Sequence, residues 1–175
     1  NEALLEFKKA VELVPTVPEF YYEIADLYYS QKWYDEALSY IIKTIDYSEN
    51  LKYYKLYLKI LKGLNKQEKI KELVENIMLK NSNDTEALFL AGEYYLSVGD
   101  DKGVNIIETI LKSNPTFEDG LELLAEYNLN NGNNDKAIEL YERLLDLNEN
   151  SGLYNFKIGI AYYYKKDFKN ALKYF

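Results

Sequence analysis

The chain has 175 residues, and its 29 acidic against 21 basic side chains give a formal net charge of −8. It contains 19 tyrosines but no cysteine and no histidine, which excludes disulfides, thiol nucleophiles, imidazole acid–base chemistry and the usual zinc ligands. Three prolines and eight glycines over such a length predict long helices with tight connections.

Residues 1–17 place Ala3, Phe7 and Ala10 on one helical face, and Pro15 stops that helix, so this is half of a unit. Residues 18–50 form a full one. Pro18 opens a helix with the apolar stripe Tyr21, Ile24, Ala25 and Tyr28; after a turn near Lys32 a second helix carries Ala37, Ile41 and Thr44. The same unit recurs over 51–84, 85–116 and 117–150, and 151–175 begins another. Second-helix positions Ala3, Ala37, Ile70, Gly103, Ala137 and Ala171 are 34, 33, 33, 34 and 34 residues apart. First-helix positions Ala25, Leu58, Gly92, Ala125 and Gly159 are 33, 34, 33 and 34 apart. Two independent ladders share one period.

A lone helix pair cannot bury its apolar face, so repetition at this period predicts an all-α solenoid in which stacked pairs make one core. The residues that carry the period, Tyr21, Ile24, Ala25, Tyr28, Ala37, Ile41 and Glu49, and later Ile158, Gly159, Tyr162, Ala171 and Phe175, resemble the tetratricopeptide repeat (TPR) pattern. The resemblance covers essentially the whole chain and implies a right-handed superhelix of antiparallel helix pairs, with four full repeats and a partial one at each end. Departures from the pattern concentrate in the third segment. Leu58 and Ile70 stand where small residues are expected, which predicts wider helix separation over 51–80; Asn128 replaces an aromatic, Asn155 stands at the tryptophan place, and the family proline survives only at Pro15 and Pro115.

The turns agree with this architecture. Val98-Gly99-Asp100, Asn131-Gly132-Asn133 and Lys166-Asp167 fall between paired helices, where glycine accepts positive φ and Asp or Asn caps the next helix. Asn131 to Asp135 lacks the ligand spacing of a calcium loop, and no metal or cofactor is expected.

In TPR proteins the first helices line a concave groove that holds a peptide or a partner's helix. On that resemblance the groove-facing residues are Tyr22, Asp26 and Tyr29; Lys52, Lys55, Lys59 and Lys62; Phe89, Glu93 and Leu96; Glu122, Glu126 and Leu129; and Phe156, Ile160 and Tyr163. Their chemistry differs from repeat to repeat. Residues 51–80 carry 8 basic and 3 acidic groups, whereas 81–150 carry 4 and 15, so a lysine stripe lies between acidic and aromatic faces. The lysine and asparagine clamp by which one TPR subclass grips chaperone tails is absent, because its places after Lys55 hold Lys59, Leu90, Asp119 and Leu123.

The expected function is a noncatalytic protein–protein interaction scaffold, with a protein or peptide partner. A substrate-recruiting arm of a larger enzyme is the alternative, and a helical-repeat RNA reader is disfavoured by the acidic balance, so no nucleic-acid partner is expected. No apolar run approaches the ~18 residues needed to cross a bilayer, so no membrane insertion by this stretch is expected. The chain opens on Asn1, in what reads as the second helix of a pair. It is therefore read as a fragment of a longer protein, with its compartment open and with self-association through uncapped ends as an expectation.

Overall fold

The computed structural model describes residues 2–175, and within them eleven helices follow one another. They are α1 (Glu2–Leu13), α2 (Pro18–Ser30), α3 (Tyr34–Tyr47), α4 (Leu51–Gly63), α5 (Gln67–Lys80), α6 (Thr85–Ser97), α7 (Lys102–Ser113), α8 (Glu118–Asn130), α9 (Asn134–Leu147), α10 (Gly152–Tyr164) and α11 (Phe168–Tyr174). Among the described residues there is no strand. The helices group into two compact units, the first ending at Lys80 and the second spanning Asn81–Phe175.

Helix starts follow local chemistry. Pro18 occupies the first turn of α2, where a missing N–H costs nothing. Asn50, Asp84, Ser151 and Asp167 cap α4, α6, α10 and α11 by accepting hydrogen bonds from backbone amides within the first turn.

Five first helices end in the same way. Lys32, Asn65, Gly99, Gly132 and Lys166 all have positive φ, between 54° and 78°. In each case the next residue's amide donates five residues back, as in Trp33 N to Tyr28 O (3.0 Å), Asp100 N to Tyr95 O (2.9 Å) and Asp167 N to Tyr162 O (3.0 Å). This is the Schellman closure, which satisfies carbonyls that the helix end leaves open. Three of the five positions are not glycine.

In the first unit, Ile24, Ala25 and Tyr28 of α2, Ala37 and Ile41 of α3, and Tyr53, Leu56 and Ile60 of α4 form the buried core, with Leu4, Phe7 and Val11 of α1 packed on its edge. In the second, Ile107, Leu121, Leu124, Ala125, Ala137, Leu140, Tyr141, Leu144 and Ile158 are its fully enclosed centre. The backbones of α6 and α7 approach closely where both ladders carry glycine, Gly92 O lying 2.8 Å from where a Cβ on Gly103 would stand, and the small ladder residues Ala25, Ala37, Ala125 and Ala137 are all fully buried. At Leu58 and Ile70 both ladder positions are large, and α4 and α5 meet at markedly fewer points than α2 and α3 do. α4 also buries two sides of itself, Tyr53, Leu56 and Ile60 together with Tyr54, Leu58 and Leu61.

Two expected groove residues are corrected. Leu96 and Leu129 are 7% and 8% exposed and belong to the second unit's core. Each lies in the last turn of its helix, just ahead of the Schellman closure that folds the chain over it. Leu96 packs where a side chain on Gly103 would otherwise stand. Tyr57, one position before the ladder residue Leu58, is half-buried.

Candidate functional site

The first unit brings the outer faces of α2 and α4 together. Tyr22 is half-buried, with its ring 5.2 Å from that of Tyr53, and Lys52 Nζ sits 4.0 Å above the Tyr22 centroid. A cation this close to an aromatic face is held by the ring quadrupole. The Tyr53 hydroxyl donates to Glu19 Oε1 at 2.9 Å, and burial, followed by that carboxylate, pushes the phenol up to about 12. Lys52 therefore does not stand free in the lysine row. Farther along, Lys55 is half-buried and Lys59 and Lys62 are exposed, as is Asp26 on α2, while Tyr29 leans on Tyr34 with 5.8 Å between centroids.

The second unit presents a different surface. On α6, Phe89 is half-buried and meets Phe117 edge-on at 5.3 Å, whereas Glu93 is exposed. On α8, Glu122 and Glu126 are half-buried, and Lys157 of α10 holds Glu126 at 2.9 Å. On α10, Phe156 and Tyr163 are 52% and 55% exposed, and Ile160 is half-buried. Phe156 lies 5.7 Å from Phe175, and Tyr163 lies 5.7 Å from Phe168. An open depression of about 560 Å³ lies where α9 connects to α10, lined by Glu118, Asn148, Glu149, Asn150, Ser151 and Tyr154.

Three residues at these surfaces fell outside the sequence expectation. Tyr53 and Tyr154 occupy the same place in their repeats, one position before the register read as core, and Lys157 lies 31 residues beyond its partner Glu126. Pairs reaching from one repeat to the next, such as Tyr53 with Glu19 and Lys157 with Glu126, leave a signal only when residues about one period apart are compared for complementary chemistry.

The pairing of helices, the repeat length and the repeated Schellman turns define a helix-pair repeat protein. Tetratricopeptide repeat profiles match residues 18–51 and 105–175, and the chain belongs to the tetratricopeptide repeat family. Over 99% of its length it is 27% identical to the TPR repeat-containing protein MJ1428 of Methanocaldococcus jannaschii, and it spans about a third (34%) of that relative's length. Among solved structures it is similar to MamA, with TM-score 0.71 and 19% identity over 90% of this chain and 87% of that one. It is also similar to YrrB, a TPR protein with an unusual peptide-binding site, with TM-score 0.66 and 16% identity over 96% and 88% of the two chains. A tetratricopeptide repeat protein from Parabacteroides merdae gives TM-score 0.78 at 15% identity, over 98% of this chain and 69% of that one. At these identities the likeness is one of fold. Among the described residues no helix is long and apolar enough to cross a membrane.

Proposed function

We propose that the chain is a noncatalytic scaffold that holds a peptide or a partner's helix on the outer faces of its first helices, without a chaperone-tail clamp. The observation that carries this reading is the contrast between those faces. α4 offers Lys59 and Lys62 to solvent beside half-buried Lys55, α8 offers Glu122 and Glu126, and α10 offers Phe156 and Tyr163. Aromatic side chains exposed beside charged rows supply contact area at little rotamer cost, which is the composition of interface hot spots. TPR folds are typically interaction modules rather than catalysts, and the YrrB likeness supports a peptide as the occupant.

The test is Lys55→Glu combined with Lys59→Glu, measured against a partner captured by crosslinking from native cells. Affinity is expected to fall at least about tenfold, or ~1.4 kcal/mol, with helicity unchanged; unaltered affinity removes α4 from the site. A second reading, the substrate-recruiting arm of a larger enzyme, is supported by the chain's spanning only about a third (34%) of its archaeal relative. Activity in a longer protein that disappears when these repeats are deleted would favour it.

A further inference from the structure

The two units treat equivalent positions in opposite ways. Glu19, Tyr22 and Asp26 on α2 correspond through the repeat period to Asp119, Glu122 and Glu126 on α8, and Lys52-Tyr53 at the start of α4 correspond to Leu153-Tyr154 at the start of α10. In the first unit the chain supplies its own cation, Lys52 over Tyr22, and its own phenol donor, Tyr53 to Glu19. In the second unit the lysine's place is taken by Leu153, which is 54% exposed, and the aromatic's place by Glu122.

The acid face there is only partly compensated. Lys157 pairs with Glu126, and Glu118 accepts from the neutral Asn148 amide at 2.7 Å. Among the described residues no lysine or arginine is paired with Glu118, Asp119 or Glu122. Residues 81–150 carry 15 acidic and 4 basic groups, so the wider field has the same sign.

A second, independent feature marks the place. The Tyr141 side chain is 1% exposed, yet its hydroxyl has no hydrogen-bond partner. A buried hydroxyl left unpaired costs about 1–3 kcal/mol, a cost that a hydrogen-bonding partner entering from outside the chain would relieve. That hydroxyl lies in the field of Glu126 and Glu122, and its ring is 6.1 Å from Tyr154, which lines the depression of about 560 Å³. Burial, followed by Glu122, Glu118 and Asp119, raises the Tyr154 phenol as well, so both phenols stay neutral beside the carboxylates. Among the described residues no group of three or more His, Cys, Asp or Glu side chains is placed to hold a metal ion.

We infer that Glu118, Asp119 and Glu122, with Tyr154 and the depression beside it, bind an arginine or lysine side chain of a partner's peptide segment, in the place that Lys52 fills for the first unit. The inference rests on the scaffold reading and names the chemistry of one occupant. Arginine fits best, because its planar fork reaches paired carboxylates bidentately and stacks on a phenol ring.

The test uses amide shift mapping on the whole 175-residue chain, titrated with an acetylated and amidated hexapeptide of alternating arginine and leucine, with its glutamate–leucine counterpart, and with spermidine. The arginine peptide is expected to give saturable shifts on the first turns of α8 and α10 and on residues 148–151; the glutamate peptide is expected to give none there. Asp119→Asn with Glu122→Gln should weaken binding at least about tenfold by removing two charge-assisted contacts. Leu153→Lys should weaken it similarly by giving the second unit the cation that the first already has, and Tyr141→Phe should weaken it several-fold without changing charge. An α8 face that does not respond to the arginine peptide, or affinity indifferent to both charge variants, overturns the inference. Spermidine binding at equal affinity reassigns the site to free polyamines and overturns it too. The scaffold reading stands or falls separately, on the Lys55→Glu and Lys59→Glu measurement at α4.

Discussion

The carbonyl oxygen of Gly92 on α6 lies 2.8 Å from the point where a Cβ on Gly103 of α7 would stand, and the Leu96 amide nitrogen lies 2.7 Å from it. Both obstacles are backbone and cannot turn aside. Gly103→Ala is therefore expected to cost about 1–3 kcal/mol through overpacking, read as a lower urea midpoint at unchanged slope. At Gly92 the added atom meets Ile107 Cδ1, a movable end, at 2.5 Å. Gly92→Ala should be the milder change, while Gly92→Leu should again cost about 1–3 kcal/mol. If Gly103→Ala is neutral, the register of α6 on α7 is wrong.

The Tyr53–Glu19 bond makes stability depend on alkaline pH. An unfolded tyrosine ionises near 10, and in the folded chain Tyr53 is pushed up to about 12 by burial and then by Glu19. The neutral phenol is thus the form the fold prefers. Its contribution is complete below about pH 10 and is lost as pH rises through about 12. Tyr53→Phe is expected to cost about 0.5–1.5 kcal/mol at neutral pH, the worth of one hydrogen bond. Its stability should then fall less steeply than the parent's between pH 10 and 12. Urea midpoints at pH 8 and pH 11 for both proteins decide this.

Lys166 holds φ at 62°, in a region that costs a residue with a Cβ about 1–2 kcal/mol and glycine almost nothing. Glycine loses part of that advantage through its freer unfolded chain. Lys166→Gly is expected to stabilise by about 0.5–1 kcal/mol, visible as a higher thermal midpoint. Gly132→Ala, at φ 78°, is the control and should move the other way.

The fold was legible because spacing alone carries it. Ala25, Ala37, Gly92 and Ala137 identify themselves by period, and all prove buried. The surfaces were legible as faces but not as partnerships. Lys52 reads like Lys55 and Lys59, yet its ammonium lies on Tyr22, and that contact depends on how far α4 stands from α2. Leu96 and Leu129 share the spacing of surface residues, yet both are buried in the second unit's core, and Leu96 fills the space left by the absent side chain at Gly103. The turns near Lys32 and at Lys166 were legible as turns, but not their positive φ, which lysine does not announce. Tyr141 lies four residues beyond the ladder position Ala137, on its buried face, but nothing in the sequence says that its hydroxyl would be left without a partner.

The large residues at Leu58 and Ile70 have a consequence for how the chain breathes. In a repeat protein each pair is held by its own interface and by its neighbours, so cooperativity is only as strong as the weakest junction. α5 meets α4 at fewer points than the other paired helices meet, and it buries only Ile70, Leu73, Val74 and Ile77. Amide hydrogens of α5 should exchange with solvent deuterium sooner than those of α3 or α9, through local opening rather than global unfolding. Leu58→Ala with Ile70→Ala would test whether size alone keeps the pair apart. Closer approach should slow exchange along α5, whereas a cavity left unfilled should speed it.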